Sequence, residues 1–437
     1  MGRQVQKSAF LMFVIGLFSI TQIQVVGSIA ISELIMFLVA PFVWMSNQVM
    51  FSRDRCSKFL FLCVLAMIGC VLSTFYNGID MPRAIRGFAT VYGFLASFIV
   101  FYPILRRDPK SFGWYLLGVA FSSVLSTFIF QGAYEMMDAE ERGGGAEGIM
   151  SGPIYWIGRI GGFENWLICA KYMSLPAIVS IILPLAFGSF ALLSTASGRS
   201  AALIAMAGCA MIAYAKKDVR KMRAIRKHLL GFAIGAVIVV AIFKGVYSQA
   251  AKSGALGEQA QKKYESQTRG GTDVLHLLMA GRGESFLGLY YCAQRPIMGY
   301  GPWARDETGI YLGFFAKYGL AEDYEKMTRR MATSGMKVPW VAAHSAMLQF
   351  WQSYGILGLP IWIYVFYLMY DYLTKRIGSV PEFFGYFSVT LPSMLWSIFF
   401  SPFGSRIVWG FMLAMLLVNR AMEVDHKRMF FAMRRGG

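Results

Sequence analysis

Apolar runs of roughly 20 residues, each long enough to cross a hydrocarbon core as a helix, recur from one end of the chain to the other. The pattern predicts spans at 8–27, 29–50, 59–76, 86–105, 112–131, 198–215, 229–247, 345–373, 383–402 and 404–421. The apolar stretch 163–196 is too long for one ordinary helix and contains Pro176 and Pro184. Two short helices, near 155–175 and 177–196, are expected there. The first run follows Arg3 and Lys7 and lacks a small-residue cleavage site, so it reads as a retained span. The expected fold is an all-α polytopic membrane protein of about twelve transmembrane helices.

One long segment, 248–343, breaks this pattern. It divides the chain into nine helices over 1–247, a polar loop domain, and three helices with a tail over 344–437. Within the segment, 258–292 reads as helical, with an apolar face through Val274, Leu277, Leu278, Phe286, Leu289 and Tyr290. A glycine-rich turn follows at Gly299–Pro302, then a second amphipathic helix over 311–332. No internal repeat is visible, and Gly143–Gly145 reads as a turn.

Composition agrees with the pattern. Only 15% of the residues are charged, well below the roughly 25% of soluble domains. The net charge of +18 raises the question of nucleic acid, but its distribution answers it. The basic residues cluster in short segments between spans: Arg53 to Lys58, Arg106 to Lys110, Lys216–His228, Lys375 with Arg376, and the tail from Arg420. Such loops mark the cytoplasmic side. The segment 132–165 carries six acidic residues against Arg142 and Arg159 and belongs outside. Counting crossings between these markers places both termini inside. Arg199, the segment 248–343 and His344 then share the outer face. The basic excess is topology, with some attraction to anionic lipid. The six cysteines form no CxxC pair, so no zinc site or disulfide framework is indicated.

Three residues stand out chemically. Arg199 lies in SerThrAlaSerGlyArgSer (194–200) at the mouth of a span. It is either a snorkelling boundary residue or a guanidinium placed to grip phosphate oxygens. Arg282, in AlaGlyArgGlyGlu (280–284), is a solvated loop charge or a second such grip. His344 follows Pro339 and opens a span. A helix N-terminus and nearby arginines disfavour a charged ring there, so a neutral imidazole could accept a proton as general base. The alternative is a capping or packing histidine. His228, His276 and His426 read as surface or structural. Arg159 and Arg86, near the outer face, are secondary phosphate or sugar contacts, and Trp303 could stack on a sugar. No DxD, HExxH, P-loop or GxSxG occurs, and no metal site is expected.

The order of these pieces resembles the superfamily of O-antigen ligases and O-antigen polymerases. The pieces are SerGlyArgSer ending a span, GlyArg, ProIleMetGlyTyrGly, and AlaAlaHisSer followed by GlyIleLeuGlyLeu (342–359). GlyArgIleGlyGlyPhe (158–163) adds weaker support. Ser345 and Gly198 stand where the family often has Asn and Ser. The resemblance implies a glycosyltransferase of a bacterial inner membrane, active on the periplasmic face and metal-independent, with no cofactor. Its donor would be a glycan on undecaprenyl diphosphate. A ligase moves the glycan to lipid A–core; a polymerase joins it to another lipid-linked repeat. The family's phosphate-binding arginines map to Arg199 and Arg282, and its essential histidine to His344. A transporter of lipid-linked sugars is the competing class. It would call for ionisable residues inside spans, where Glu33 is the main candidate, and for internal pseudo-symmetry.

Overall fold

The structure is a computed structural model. It describes residues 2–19, 21–24, 28–54, 56–129, 274–317, 341 and 343–435, with 218, 220, 231, 249, 253 and 261. The expected helices near 155–175 and 177–196, that over 198–215 and, but for residue 231, that over 229–247 lie outside the described residues.

The protein is mostly helical. In chain order the elements are α1 (Gly2–Leu17), β1 (Gln22–Gln24), β2 (Ser28–Ala30), α2 (Ile31–Arg53), α3 (Ser57–Asn77), α4 (Met81–Arg107) and α5 (Phe112–Ile129). After the undescribed stretch come α6 (Val274–Gln294), α7 (Ile310–Lys317), α8 (Ala346–Tyr354), α9 (Leu359–Asp371), α10 (Pro381–Phe400) and α11 (Arg406–Arg435). Among the described residues, five helices are long and apolar enough to cross a membrane: Ile31–Arg53, Ser57–Asn77, Met81–Arg107, Ala346–Arg376 and Arg406–Asp425. A sixth is formed if the two halves of α10, bent by 48°, count as one span. Leu38, Phe42 and Phe61 are exposed, as side chains against hydrocarbon are. The protein is membrane-embedded.

The expected span 8–27 takes a different form. Its helix ends at Leu17, and the chain then makes an antiparallel hairpin with Gln22 opposite Ala30, Ile23 opposite Ile29 and Gln24 opposite Ser28. The reason is local: Gln22-Ile23-Gln24-Val25 alternates polar and β-branched residues, a period of two. The hairpin is tied back by Ile31 N–H donating to Thr21 O (3.0 Å) and Ser32 Oγ to Phe18 O (3.2 Å). α1 packs along α5 where two glycines meet. A Cβ on Gly16 would lie 2.2 Å from Tyr115 O, and one on Gly118 the same distance from Phe13 O. Small residues allow this approach in lipid.

α4 is the central post. Asp80 caps it by accepting from Arg83 N–H (3.0 Å), and Pro82 fits its first turn. From Phe94 to Leu105 nearly every side chain except Ile104 is buried, against α2, α3 and α11. An aromatic cluster joins four helices through Phe94, Phe350, Trp362, Phe403 and Trp409. Trp362 stacks on Phe94 at 6.2 Å and meets Phe350 and Trp409 edge-on at 5.2 and 4.7 Å.

Charges sit at the helix ends. Arg86 and Arg106 on α4 are about 30 Å apart at 1.5 Å per residue, and so, within a turn, are Arg406 and Asp425 on α11. That separation matches a hydrocarbon core. At one end Arg106 pairs with Asp54 (3.0 Å) and Asp425, and Tyr102 donates to Asp54 (2.6 Å). Arg376 likewise joins Asp371 to Glu423. At the other end Arg406 grips Glu33 through two bonds of 2.8 and 2.7 Å, and Glu33 also accepts from Ala30 N–H (3.2 Å).

Glu33 is 4% exposed, so its charge depends on Arg406. Arg406→Met should lower unfolding free energy by about 3–5 kcal/mol, the scale for a buried charge stripped of its partner. Glu33→Met with Arg406→Met should recover most of that, apart from the lost cap. Thermal unfolding in detergent compares the variants. Equal losses in the single and the double would mean the pair contributes nothing.

Candidate functional site

The site grows from the loop that follows α6. Gly299 and Gly301 take φ of 67° and 91°, a left-handed backbone suited to glycine. They also press the chain against its neighbours: a Cβ on Gly299 would fall 2.3 Å from Gln352 O, and one on Gly301 2.5 Å from the Ile79 side chain. Tyr300 N–H donates to Gln352 O (2.7 Å), Ile356 N–H to Ile297 O (2.9 Å), Ser73 Oγ to Met298 O (2.5 Å) and Trp351 Nε1 to Pro296 O (2.8 Å). Arg295 donates to Asn77 Oδ1 (2.7 Å) and lies over the Tyr300 ring at 4.7 Å. The ProIleMetGlyTyrGly phrase thus welds α3 to α8.

The loop delivers Trp303 to the lining of a cavity. Its φ of 54° is unusual for a bulky residue. The Arg86 guanidinium lies 5.0 Å from its ring centroid, within cation–π range. One residue on, Ala304 O accepts from Val341 N–H (2.9 Å), which ties the loop to the strand of chain leading into His344.

His344 precedes α8 rather than opening it. Ser345 is the N-cap: its Oγ accepts from Leu348 N–H (3.1 Å) and donates to Ile398 O (2.7 Å). The imidazole is 47% exposed. Its Nε2 is in contact with Oε2 of Glu284, whose Oε1 accepts from Tyr311 OH (3.2 Å). Ser285 Oγ donates to His344 O (2.8 Å), so two consecutive residues of α6 hold ring and backbone. The group against the ring is a carboxylate that the sequence did not point to; the side chains of Arg199 and Arg282, expected near it, lie outside the described residues.

α6 presents Glu284, Gly288 and Cys292 toward α8 at four-residue spacing. Gln352 Nε2 donates to Gly288 O (2.9 Å), and Cys292 Sγ donates weakly to Leu348 O (3.7 Å). Burial pushes the Cys292 thiol up to about 12, so it packs as a small apolar group. Burial and the nearby Asp306 carboxylate hold the Tyr291 phenol well above its ordinary range and keep it neutral.

Beside this assembly lies a cavity of about 1400 Å³, walled by apolar side chains such as Phe37, Phe75, Phe88 and Tyr92. Arg86 and Trp303 line it, and so does the Glu33–Arg406 pair. Gln349 of α8, less than two turns beyond His344, also faces it and accepts from Phe403 N–H (2.8 Å). Among the described residues, no three of His, Cys, Asp and Glu are grouped to hold a metal ion.

Of the residues singled out from sequence, the structure joins Arg86 to Trp303 and links both, through Ala304 and Val341, to His344. Arg282 lies in α6, two residues before Glu284, and its side chain is outside the described residues. Arg199 and Arg159 are also outside them. Glu284, Tyr311 and Gln349 were missed. Glu284 had a signal: it stands in the same short phrase as Arg282, but two residues along a helix point to different faces. No protein-family model, curated protein or solved structure matches the chain, so the site is read from its own geometry.

Ser345→Ala removes a cap and strips a buried carbonyl of its donor, a cost of about 2 kcal/mol. Hydrogen exchange at residues 346–349 should quicken while α4 stays protected. Unchanged exchange there would show that α8 does not depend on this hydroxyl.

Proposed function

We propose that the protein is an O-antigen ligase, a membrane glycosyltransferase that moves a glycan from undecaprenyl diphosphate to a sugar hydroxyl of lipid A–core. The observation that carries the reading is His344, a half-exposed imidazole against a carboxylate, at the start of a helix whose Gln349 lines an apolar cavity together with Arg86 and Trp303. A polyprenyl chain needs an apolar groove open to lipid, and a sugar acceptor needs a base at the aqueous edge. The order of motifs around Arg199, Arg282 and His344 supports the same choice.

In this reading about twelve helices span the inner membrane, both termini are cytoplasmic, and the segment 248–343 faces the periplasm. The cavity end with Glu33, Arg86 and Arg406 is the periplasmic end. His344 takes the proton of the acceptor hydroxyl as its oxygen attacks the anomeric carbon. The bond from that carbon to the diphosphate oxygen breaks, and undecaprenyl diphosphate leaves. Arg199 and Arg282 stabilise the charge that collects on the diphosphate. The leaving group needs no proton, and single displacement inverts the anomeric centre. Arg159, Arg86 and Trp303 are secondary contacts to donor phosphate or sugar.

The test uses purified protein, lipid-linked glycan and lipid A–core, with chelator present and no nucleotide. A ladder of capped lipid A–core is expected. Growth of the lipid-linked glycan alone would make the protein a polymerase, and neither product would move it to the transporter class. His344→Ala should lower transfer by about 10²- to 10⁴-fold with donor still bound. Arg199→Ala and Arg282→Ala should each cost roughly 10²- to 10³-fold. Normal turnover by His344→Ala would remove the base from the mechanism.

A further inference from the structure

Glu284 is a positioning residue for His344: we infer that its carboxylate keeps the ring proton on Nε2 and so makes Nδ1 the atom that accepts the substrate proton. The inference rests on the transferase reading for its consequence, though the pairing can be measured without it.

An imidazole has two nitrogens, and in the neutral ring one carries the proton while the other carries the basic lone pair. What faces each nitrogen decides which is which. Here an anion faces Nε2. A carboxylate accepts and does not donate, so it favours the proton on the nitrogen it faces. The basic lone pair is then on Nδ1.

Glu284 is itself unsuited to be the base. Its Oε2 is buried against the ring, and its Oε1 is engaged by the Tyr311 hydroxyl. The carboxylate is less exposed than the imidazole, 29% against 47%. The ring is the member of the pair that meets substrate. Its backbone is fixed independently by Ser285 and by the capped start of α8, so the ring can turn only about its own side-chain bonds.

The proton count is simple. The acceptor hydroxyl gives its proton to Nδ1. Its oxygen pair forms the bond to the anomeric carbon, and the diphosphate departs with the electrons of the broken bond. The ring now bears a positive charge directly against Glu284, which stabilises the charged state through the displacement. The Nδ1 proton then returns to water from the exposed side of the ring.

The experiment uses the full chain labelled with ¹⁵N-histidine, at a pH where the ring is neutral. The His344 signals are assigned by their loss in His344→Ala. The parent should show a protonated Nε2 and a bare Nδ1. Glu284→Leu should mix the two tautomers and lower kcat roughly 10²-fold with donor affinity unchanged. Glu284→Gln should restore much of both, since its amide oxygen can still accept. Glu284→Leu should have no further effect on rate in the His344→Ala background. An unchanged tautomer in Glu284→Leu, or an equal loss of rate with His344 already removed, would overturn the positioning role. If the tautomer shifts while no variant, nor the parent, transfers glycan, the pairing stands and the transferase reading falls.

Discussion

The cost of placing a charge in hydrocarbon organises this molecule. Each long helix can carry ionised groups only near its ends, and those that are not in water must be paired. α4 shows the rule plainly: no charged residue lies between Arg86 and Arg106, and from Phe94 to Leu105 every side chain but Ile104 is buried. The pairs at one end join the end of α2 to α4 and α11 through Asp54, Arg106 and Asp425, while Arg376 draws in the end of α9. At the opposite end a single pair, Glu33 with Arg406, does the corresponding work. Packing between these two layers is left to aromatic and small residues, which is why Phe94, Trp362 and Trp409 can interlock and why α1 and α5 can approach at glycines.

The same constraint explains where polar chemistry can occur. A side chain that must meet both water and a lipid-linked ligand has to sit at a helix end. α8 begins at such a place. His344 stands just outside its cap, in partial contact with solvent, and Gln349 stands inside, on the wall of the apolar cavity. Two further elements pin α8, one at each end. α6 contributes Glu284 and Ser285, and the Pro296–Trp303 loop clamps the far end of α8 through Gln352 and Gly355. A shift of either would move His344 relative to the cavity.

How far all this was legible depends on the range of the interaction. The spans that became α2, α3 and α4 were readable within a few residues, because length and apolarity are properties of one segment at a time. The run 8–27 misled because total apolarity hid a change of period: the residues after Leu17 alternate, and they form a hairpin. His344 was readable as chemistry because so few histidines exist, and the glycine phrase was readable because left-handed backbone needs glycine. Glu284 was not, since its meaning comes from a partner 60 positions away (344 − 284). A helical wheel over α6 would have put Glu284, Gly288 and Cys292 on one face, but nothing in the sequence said that α8 lay against it. The Glu33–Arg406 pair is further separated still. The sequence showed Glu33 as the main acid inside a span, and its partner became visible only in the fold.

That last point bears on function. An acid that moves ions or protons through a membrane must be able to change partner or protonation. Glu33 is held by a bidentate guanidinium and by the amide of Ala30, an arrangement that fixes one geometry. It reads as a strut at the edge of the cavity. The half-exposed imidazole of His344 is the opposite kind of group: it is gripped from one side by a carboxylate and left accessible on the other. A rigid pair lines the apolar cavity, and the helix that follows His344 adds Gln349 to its wall, an arrangement that supports the proposal of chemistry on a lipid-anchored substrate.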